Sequence, residues 1–380
     1  MRLIAAGNVV LNGRVCRPGW LQVSEGRVVE CGSGTPPRPA DTDLGGSLVV
    51  PGFVDMHVHG GGGASYTDGS DAAARAAMLH RRHGTTTTLA SLLSTVPDAL
   101  LSQVGGLAES TRAGMIAGIH LEGPWLSRQR CGAHDPAQLR SPDPAEVDRL
   151  LAAGAGTIRM VTLAPELPGA IDAIRRFVDA GVVVALGHTD ADYEQVRAAI
   201  DAGATVGTHL FNAMAPLHQR RPGPPLALLE DPRVTVELIA DGVHVHPALM
   251  RHVIHIAGPD RVAFVTDAMA AAGAGDGSFR LGALAVQVVD GVAEVRGTST
   301  IAGSTATMDA MFTTAVSLLG ADPDAALTAA VRLTSTTPAR TLKLDRVGSL
   351  QPGFDANLVV LDQDLRVTRV MIRGEWLADD

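Results

Sequence analysis

Two histidines at the end of an apolar segment are the first residues that could do chemistry in this chain. His57 and His59 follow the run Ser-Leu-Val-Val-Pro-Gly-Phe-Val-Asp-Met and precede four glycines. In a strand, alternate side chains point to the same face, so both imidazoles would leave one edge of a sheet together. Such a pair can also be ordinary surface or core histidines. Imidazole nitrogen binds divalent cations, so we expect a metal site that draws further ligands from elsewhere in the chain.

The elements that would position these ligands follow from the pattern of apolar residues. Eight short apolar runs alternate with segments of helical periodicity, such as 71–83, 145–153, 171–180 and 193–202. Eight β-then-α units predict an α/β fold, a closed (β/α)8 TIM-like barrel. A doubly wound open sheet is the alternative, because periodicity does not show closure. The runs are 49–57, 85–93, 115–122, 158–163, 182–188, 205–209, 234–240 and 262–267.

The two ends of the chain have a different pattern, with short strands divided by turns and no regular helical periodicity. The carboxyl-terminal segments 357–361 and 367–372 resemble the amino-terminal strands in this respect. We therefore predict that residues 1–50 and 346–380 together build a small β-sandwich domain, and that residues 51–345 form the barrel.

Bulk properties limit the classes of partner and the compartment. The chain has 380 residues, is 46% hydrophobic and carries a formal net charge of -9, which argues against a nucleic-acid or anionic-membrane surface. Cys16, Cys31 and Cys131 are too few and too far apart for a disulfide framework, so a reducing cytosol is expected. The start of the chain does not look like a signal peptide, and no apolar run reaches the roughly 18 residues of a membrane span.

Polar side chains occur where the predicted strands end, which is where a barrel of this type carries its active site. Each has an ordinary explanation when taken alone: Glu122 could cap a loop, His188 and His209 could be buried core histidines, and Asp267 could cap a helix. Taken together, their ligand types favour a site for a borderline divalent metal. The set is His57, His59, Glu122, His188, His209 and Asp267.

Longer motifs around these residues carry a resemblance to a known family. They are His120-Leu-Glu-Gly-Pro-Trp, Gly187-His-Thr-Asp, Thr208-His-Leu-Phe-Asn-Ala-Met, Asp241-Gly-Val-His and Val265-Thr-Asp-Ala-Met. Together they resemble the N-acetylglucosamine-6-phosphate deacetylases of the amidohydrolase superfamily, over almost the whole chain. The His-x-His pair alone would indicate only the superfamily.

The resemblance implies a role for individual residues. Glu122, His188 and His209 are expected to bind the main metal ion, and Asp267 to act as the catalytic acid and base. Arg220 is expected to reach the substrate phosphate from the neighbouring subunit of a homodimer, and either His134 or His244 to donate to the oxyanion. The expected substrate contacts are Ala133, His134, Asn212, Ala213, Arg220, His244, Ile301, Ala302 and Gly303.

The number of metal ions stays open at this point. Members of the family vary at the His-x-His position, and this chain keeps both histidines, so a second ion held by His57 and His59 with Glu122 as a bridge is plausible. Related amidohydrolases bridge two metals with a carboxylated lysine in the barrel, but the single lysine here is Lys343, beyond the eighth strand. Zinc is the favoured ion, and iron, manganese and cobalt suit the same ligands.

The expected reaction is hydrolysis of N-acetylglucosamine 6-phosphate to glucosamine 6-phosphate and acetate. A divalent metal lowers the pKa of bound water from about 15.7 to about 7, which supplies hydroxide for attack on the amide. Asp267 would take the proton and deliver it to the departing nitrogen. The alternatives are an amidohydrolase for another N-acyl or cyclic amide, and a catalytically silent barrel that binds a sugar phosphate.

Overall fold

The structure is a computed structural model that describes residues 1–378, and its largest sheet is parallel and has eight strands. Its strands lie side by side in chain order. The two ends of this order meet where the Asp267 amide donates to the His57 carbonyl (2.8 Å) and Val58 bridges Ala268 in parallel. The sheet is thus a nearly closed barrel, as predicted. Its strands are Phe53–Asp55, Thr85–Leu92, Gly118–Glu122, Ile158–Leu163, Val183–Leu186, Val206–Gly207, Thr235–Ile239 and Val262–Val265.

Helices alternate with these strands. The helix Ala170–Asp179 shows why they form: its residues Ala173, Ile174 and Phe177 are buried at helical spacing while its charged residues face outward. The helix Tyr193–Asp201 begins at a capping box made by Asp192 and Gln195. The α-helices are Ser70–Arg82, Pro97–Arg112, Pro144–Gly154, Ala170–Asp179, Tyr193–Asp201, Gly223–Glu230, Pro247–Ala257, Met308–Leu319, Pro323–Val331 and Thr337–Thr341, with 3-10 turns at Arg128–Arg130 and Pro136–Gln138 and a π turn at Arg332–Thr336.

Strands from both ends of the chain form two further sheets, which share one apolar core. Leu21 and Val28 from the first sheet and Val49 and Leu358 from the second belong to the same buried cluster, as a sandwich requires. In spatial order the first sheet is Arg27–Ser33, Gly19–Ser24, Arg2–Ala6 and Thr42–Asp43, and the second is Glu375–Trp376, Val367–Ile372, Leu358–Leu361, Leu48–Pro51, Asn8–Leu11 and Arg14–Cys16.

The apolar run 49–57, expected to be one barrel strand, is divided at Gly52. Leu48–Pro51 pairs in the sandwich, and Phe53–Asp55 begins the barrel. A Cβ at position 52 would lie 2.2 Å from Thr86 Oγ1 and 2.8 Å from Thr86 Cβ, so only glycine fits at this junction. Hydrophobicity alone did not reveal the division because both halves are buried.

Contacts divide the chain into two compact units. The first contains Met1–Asp55, His80–Thr87 and the chain from Thr307 onward, and the second contains Met56–Leu79 and Thr88–Ala306. The domain boundaries at 50 and 346 stay predictions. The second unit also carries an antiparallel sheet of Gly277–Leu281, Leu284–Val289 and Val292–Val295, and a short pair of Gly60–Gly61 and Ala64–Ser65.

The helices of residues 1–378 include none that is both long enough and apolar enough to cross a bilayer.

We expect Gly52→Ala to destabilise the protein by about 1–3 kcal/mol, the usual effect of forcing a methyl group into a packed site. The β-branched Thr86 side chain cannot move aside freely, so the backbone must shift. Gly46→Ala is the control, since a Cβ there meets no atom within 4 Å. Chemical denaturation of both variants measures the free energies of unfolding, and equal values would contradict the argument.

Candidate functional site

Six side chains with metal-ligand chemistry follow the carboxyl ends of five barrel strands. Glu122 is the last residue of the third strand, and the others come two or four residues after their strands end. All six are buried, with exposed fractions of 8% or less. The structure thereby brings together His57, His59, Glu122, His188, His209 and Asp267.

Glu122 lies at the centre of this group. Its Oε1 is 3.0 Å from His188 Nε2 and 3.1 Å from His209 Nε2, and these two nitrogens are 3.1 Å apart. Its Oε2 is 3.2 Å from His59 Nε2 and 3.2 Å from His134 Nε2. Oε1 also lies 3.4 Å from His57 Nε2, so each oxygen of this one carboxylate faces more than one imidazole.

For three of these histidines, the contact made by Nδ1 determines the tautomer of the ring. In each case Nδ1 faces an oxygen that can only accept, so Nδ1 carries the hydrogen and the neutral ring keeps its lone pair on Nε2. These lone pairs then point at carboxylate oxygens, an arrangement that a cation between them would stabilise. The Nδ1 contacts are His188 to the Arg130 carbonyl (2.9 Å), His57 to Glu237 Oε2 (3.1 Å) and His59 to the Ser91 carbonyl (3.2 Å).

This donor set fits a divalent metal. Two groups of buried ligand atoms lie close enough together to hold an ion, and Glu122 belongs to both. Imidazole and carboxylate are the ligands of zinc and similar metals, and Nδ1 hydrogen bonds of this kind orient histidine ligands. The groups are His57, His59 and Glu122, and Glu122, His134 and His188.

Asp267 faces the two histidines of the first strand. Its Oδ1 is 3.2 Å from His59 Nε2 and 3.4 Å from His57 Nε2. Burial alone would raise the pKa of this carboxyl group, but His57 and His59 outweigh burial and hold the pKa below its ordinary value. Asp267 is therefore an anion at neutral pH.

The histidines of the site differ in the direction in which their pKa values are shifted. Burial lowers the pKa of His59, but Asp267 and Glu122 raise it to about 9. Burial also lowers the pKa of His134, here to about 4, with Glu122 opposing the shift. His120 has a pKa well below its ordinary value because of burial and the neighbouring His57. His120 and His134 are thus neutral near pH 7.

His244 is held at the mouth of the barrel by Asp241. Its Nδ1 is 2.7 Å from Asp241 Oδ2, and Asp241 Oδ1 accepts from the backbone amide of His244 at 2.9 Å. Burial alone would lower the pKa of His244, and the Asp241 carboxylate outweighs it and raises the pKa. This imidazole can therefore donate a hydrogen bond into the site.

A cavity of about 290 Å³ opens over the cluster and contains most of the predicted substrate contacts. The lining residues that were not predicted are Leu93, Gly132, Ile239, Leu281, Ser299 and Thr300. The predicted residues in its lining are His59, Glu122, Ala133, His134, His188, His209, Asn212, Ala213, His244, Asp267, Ile301 and Gly303.

Three predicted residues lie elsewhere. His57 is fully buried behind the cavity and touches the cluster through its ring. Ala302 packs in an apolar cluster with Leu93 and Met269, although both of its neighbours in the chain line the cavity. Arg220 is exposed and lines a second cavity, of about 630 Å³, with Arg130 among its other walls.

The loop after the third strand is tied down beside the cluster. Arg130 forms an ion pair with Asp190 (2.7 Å), and the backbone amide of Asp190 donates to Glu166 Oε1 (2.7 Å). The Arg130 carbonyl that accepts from His188 is therefore fixed through its own side chain. Cys131 follows directly in this loop and is half-buried.

Sequence reasoning missed the polar residues behind the cluster. One of them is His120, whose ring lies 2.8 Å from both Ser91 Oγ and Thr162 Oγ1. Glu237, 3.1 Å from His57, was not singled out. A lone charge inside the apolar strand Thr235–Ile239 was the available signal.

Comparisons with known proteins agree on one family. A sequence profile of the Amidohydrolase family matches residues 48–377. The chain is 39% identical to the N-acetylgalactosamine-6-phosphate deacetylase of Escherichia coli O157:H7, over 94% of this chain and 95% of that protein. It is 37% identical to the human N-acetylglucosamine-6-phosphate deacetylase, over 97% of this chain and 91% of the human protein.

A solved structure is similar over nearly the full length. It is the D267A mutant of N-acetyl-D-glucosamine-6-phosphate deacetylase from Mycobacterium smegmatis, in complex with N-acetyl-D-glucosamine-6-phosphate. The TM-score is 0.97 with 57% sequence identity, and the match covers 99% of this chain and 98% of that one.

We expect added Zn²⁺ to raise the thermal stability of metal-stripped protein, because an ion that binds only the folded state stabilises it. At 100 times the dissociation constant the stabilisation is about 2.7 kcal/mol. Glu122→Gln should lose most of this effect, whereas Glu230→Gln, on the exposed end of a distant helix, should keep it. A melting temperature that does not respond to Zn²⁺ in the unmodified protein would contradict a metal site.

Proposed function

This chain belongs to the amidohydrolase family, and we propose that it removes the acetyl group from an N-acetylated amino-sugar 6-phosphate. The main substrate is N-acetylglucosamine 6-phosphate, and the products are glucosamine 6-phosphate and acetate. The observation that carries this proposal is the convergence of imidazole lone pairs on the Glu122 and Asp267 carboxylates at the floor of the cavity. Relatives with this activity match over nearly their whole length.

In this proposal Glu122, His188 and His209 bind the main metal ion, with zinc favoured over iron, manganese or cobalt. His57 and His59, together with Glu122, would hold a second ion. Glu122 lies between these ligands, since its Oε1 faces His188 and His209, with His57 Nε2 at 3.4 Å, while its Oε2 faces His59. When bound, the metal polarises the amide carbonyl and lowers the pKa of water.

Asp267 is the general base and then the general acid. It is anionic at neutral pH, and its 11% exposed side chain borders the cavity, so it can accept a proton from the attacking water. The same carboxyl group then returns the proton to the sugar nitrogen, because an amine leaves readily only when it is protonated.

His244 is the better candidate for the oxyanion donor. Asp241 favours its protonated form, and the ring lines the cavity. His134, the alternative, directs its Nε2 at Glu122 Oε2 (3.2 Å) and has a pKa of about 4. A donor that is already oriented stabilises charge in the transition state without reorganisation.

The phosphate is bound by Asn212 and the backbone near Ala213, with Arg220 supplied by the neighbouring subunit of a homodimer. Arginine offers a planar fork that matches phosphate oxygens. Support comes from the position of Arg220 in its own chain, where it is exposed and lines a cavity other than the one that contains Asn212. Binding energy from the phosphate would position the acetamide for attack. Ala133, Ile301 and Gly303 border the sugar in this proposal, and Ala302 acts through its neighbours.

N-acetylgalactosamine 6-phosphate is a second candidate substrate, because the Escherichia coli relative is named for it. The two sugars differ only in the configuration of one hydroxyl group. Acetate release from each, expressed as kcat/KM, decides between them, and we expect the glucosamine compound to be preferred. We also propose a cytoplasmic location, consistent with three cysteines that are all free thiols.

Asp267→Asn should lower kcat for acetate release by at least about 100-fold, the usual contribution of a positioned general base. Binding of N-acetylglucosamine 6-phosphate, measured by calorimetry, should persist because the amide keeps the shape of the side chain. Unchanged turnover would contradict the proton transfer, and a silent sugar-phosphate-binding barrel would show binding without turnover in the unmodified protein.

Arg220→Ala should raise KM for N-acetylglucosamine 6-phosphate sharply without changing metal content, whereas Arg221→Ala, on the adjacent exposed residue, should have little effect. Co-expression tests the subunit of origin. A heterodimer of the Arg220→Ala and Asp267→Asn chains contains one site with an intact Asp267 that receives Arg220 from its partner, so activity should return. No recovery in an isolated heterodimer would show that Arg220 does not act across subunits.

A further inference from the structure

Glu237 is a carboxylate beside the ligand cluster that the proposed mechanism does not use. It lies within the seventh barrel strand and is fully buried. Its Oε2 is 3.1 Å from His57 Nδ1 and 3.2 Å from the backbone amide of His209. Its Oε1 has no hydrogen-bond partner among the described residues. A buried carboxylate oxygen without a partner is costly, so packing alone does not explain this residue.

We propose that Glu237 positions His57 as a ligand for a second divalent ion. The contact with Nδ1 holds the hydrogen on that nitrogen and directs the Nε2 lone pair at Glu122 and Asp267, both 3.4 Å away. A carboxylate behind a histidine ligand fixes the ring and makes its free nitrogen a stronger donor. The proposal rests on the metal-dependent function proposed above.

The charge of the cluster leaves room for a second cation. Glu122, Asp267 and Glu237 place three carboxylates around His57, and an imidazole that binds a metal ion is neutral and adds no charge. One divalent ion would leave a net charge of -1 in a buried site, and a second would bring it to +1. Uncompensated negative charge is unfavourable away from water, so a second cation, or a proton in its place, balances Glu237.

Glu237 also contacts both His57, a proposed ligand of the second ion, and His209, a proposed ligand of the main ion. The same Oε2 that faces the His57 ring accepts from the His209 backbone amide, and the Glu237 carbonyl accepts from the Leu210 amide at 2.8 Å. His209 has a φ of +25°, a strained value for a residue other than glycine. The His57 ring depends on the negative charge of Glu237, whereas the backbone amide of His209 needs only a hydrogen-bond acceptor. Glutamine keeps an acceptor oxygen but removes the charge, so Glu237→Gln separates the two roles.

The experiment is a Zn²⁺ titration of metal-stripped protein against a chromophoric chelator, which reports the stoichiometry and both dissociation constants. We expect two ions per unmodified chain. Glu237→Gln should weaken the second ion by about 10- to 100-fold and leave the first within a few fold. Asp231→Asn, which neutralises another buried carboxylate near the start of the same strand, should change neither constant.

A double mutant separates positioning from a general loss of structure. If Glu237 acts through His57, the Glu237→Gln change should have no further effect on metal affinity in a His57→Gln background. A single ion per unmodified chain, unchanged affinities in Glu237→Gln, or an undiminished effect in the double mutant would overturn the proposal. None of these results would contradict the proposed deacetylation, which is measured separately by acetate release with one ion bound.

Discussion

The site contains buried acceptor atoms, imidazole nitrogens and carboxylate oxygens, that face one another and need protons or cations between them. Three imidazoles give their Nδ1 hydrogens to a carbonyl or a carboxylate oxygen, and this leaves their Nε2 atoms facing Glu122 and Asp267. Without protons or cations, acceptors would face acceptors in a space that water scarcely reaches. Protonation relieves this in part, as the raised pKa of His59 shows. A divalent cation relieves it more fully, because it accepts several lone pairs at once.

Backbone strain marks the same positions. His188, His209 and Asp267 all have positive φ values, between +25° and +48°, although none of them is glycine. Such conformations cost of order 1 kcal/mol or more each and persist only where the surroundings enforce them. All three come two residues after a strand ends, where the chain must turn while the side chain stays directed into the barrel. The parallel hydrogen-bond ladder below therefore maintains the geometry that the site needs.

The sequence predicted what is local or periodic. Strand positions followed from apolar runs, helix positions from 3.6-residue spacing, and ligand types from residues at strand ends, so six residues that the structure gathers could be named in advance. The division at Gly52 was missed because steric contact with Thr86 is invisible in a hydrophobic pattern. Glu237 was missed for another reason: its partner His57 lies 180 residues away, and no local pattern encodes that pairing. The exclusion of Ala302 from the cavity likewise depends on which way one residue faces.

In the proposed two-ion site, Glu122 would take the place of the carboxylated lysine that was considered as a bridge. A carboxylated lysine offers two oxygens on a long, flexible arm, and the only lysine of this chain, Lys343, belongs to the other compact unit. Glutamate is shorter, so its two oxygens can face both ligand sets only if its backbone stands at the rim of the barrel. Glu122 meets this condition as the last residue of its strand, paired with Thr162 of the next. We infer that a glutamate can serve as the bridge only at the last residue of the third strand. Moving the residue one position back would turn its side chain to the opposite face of the sheet.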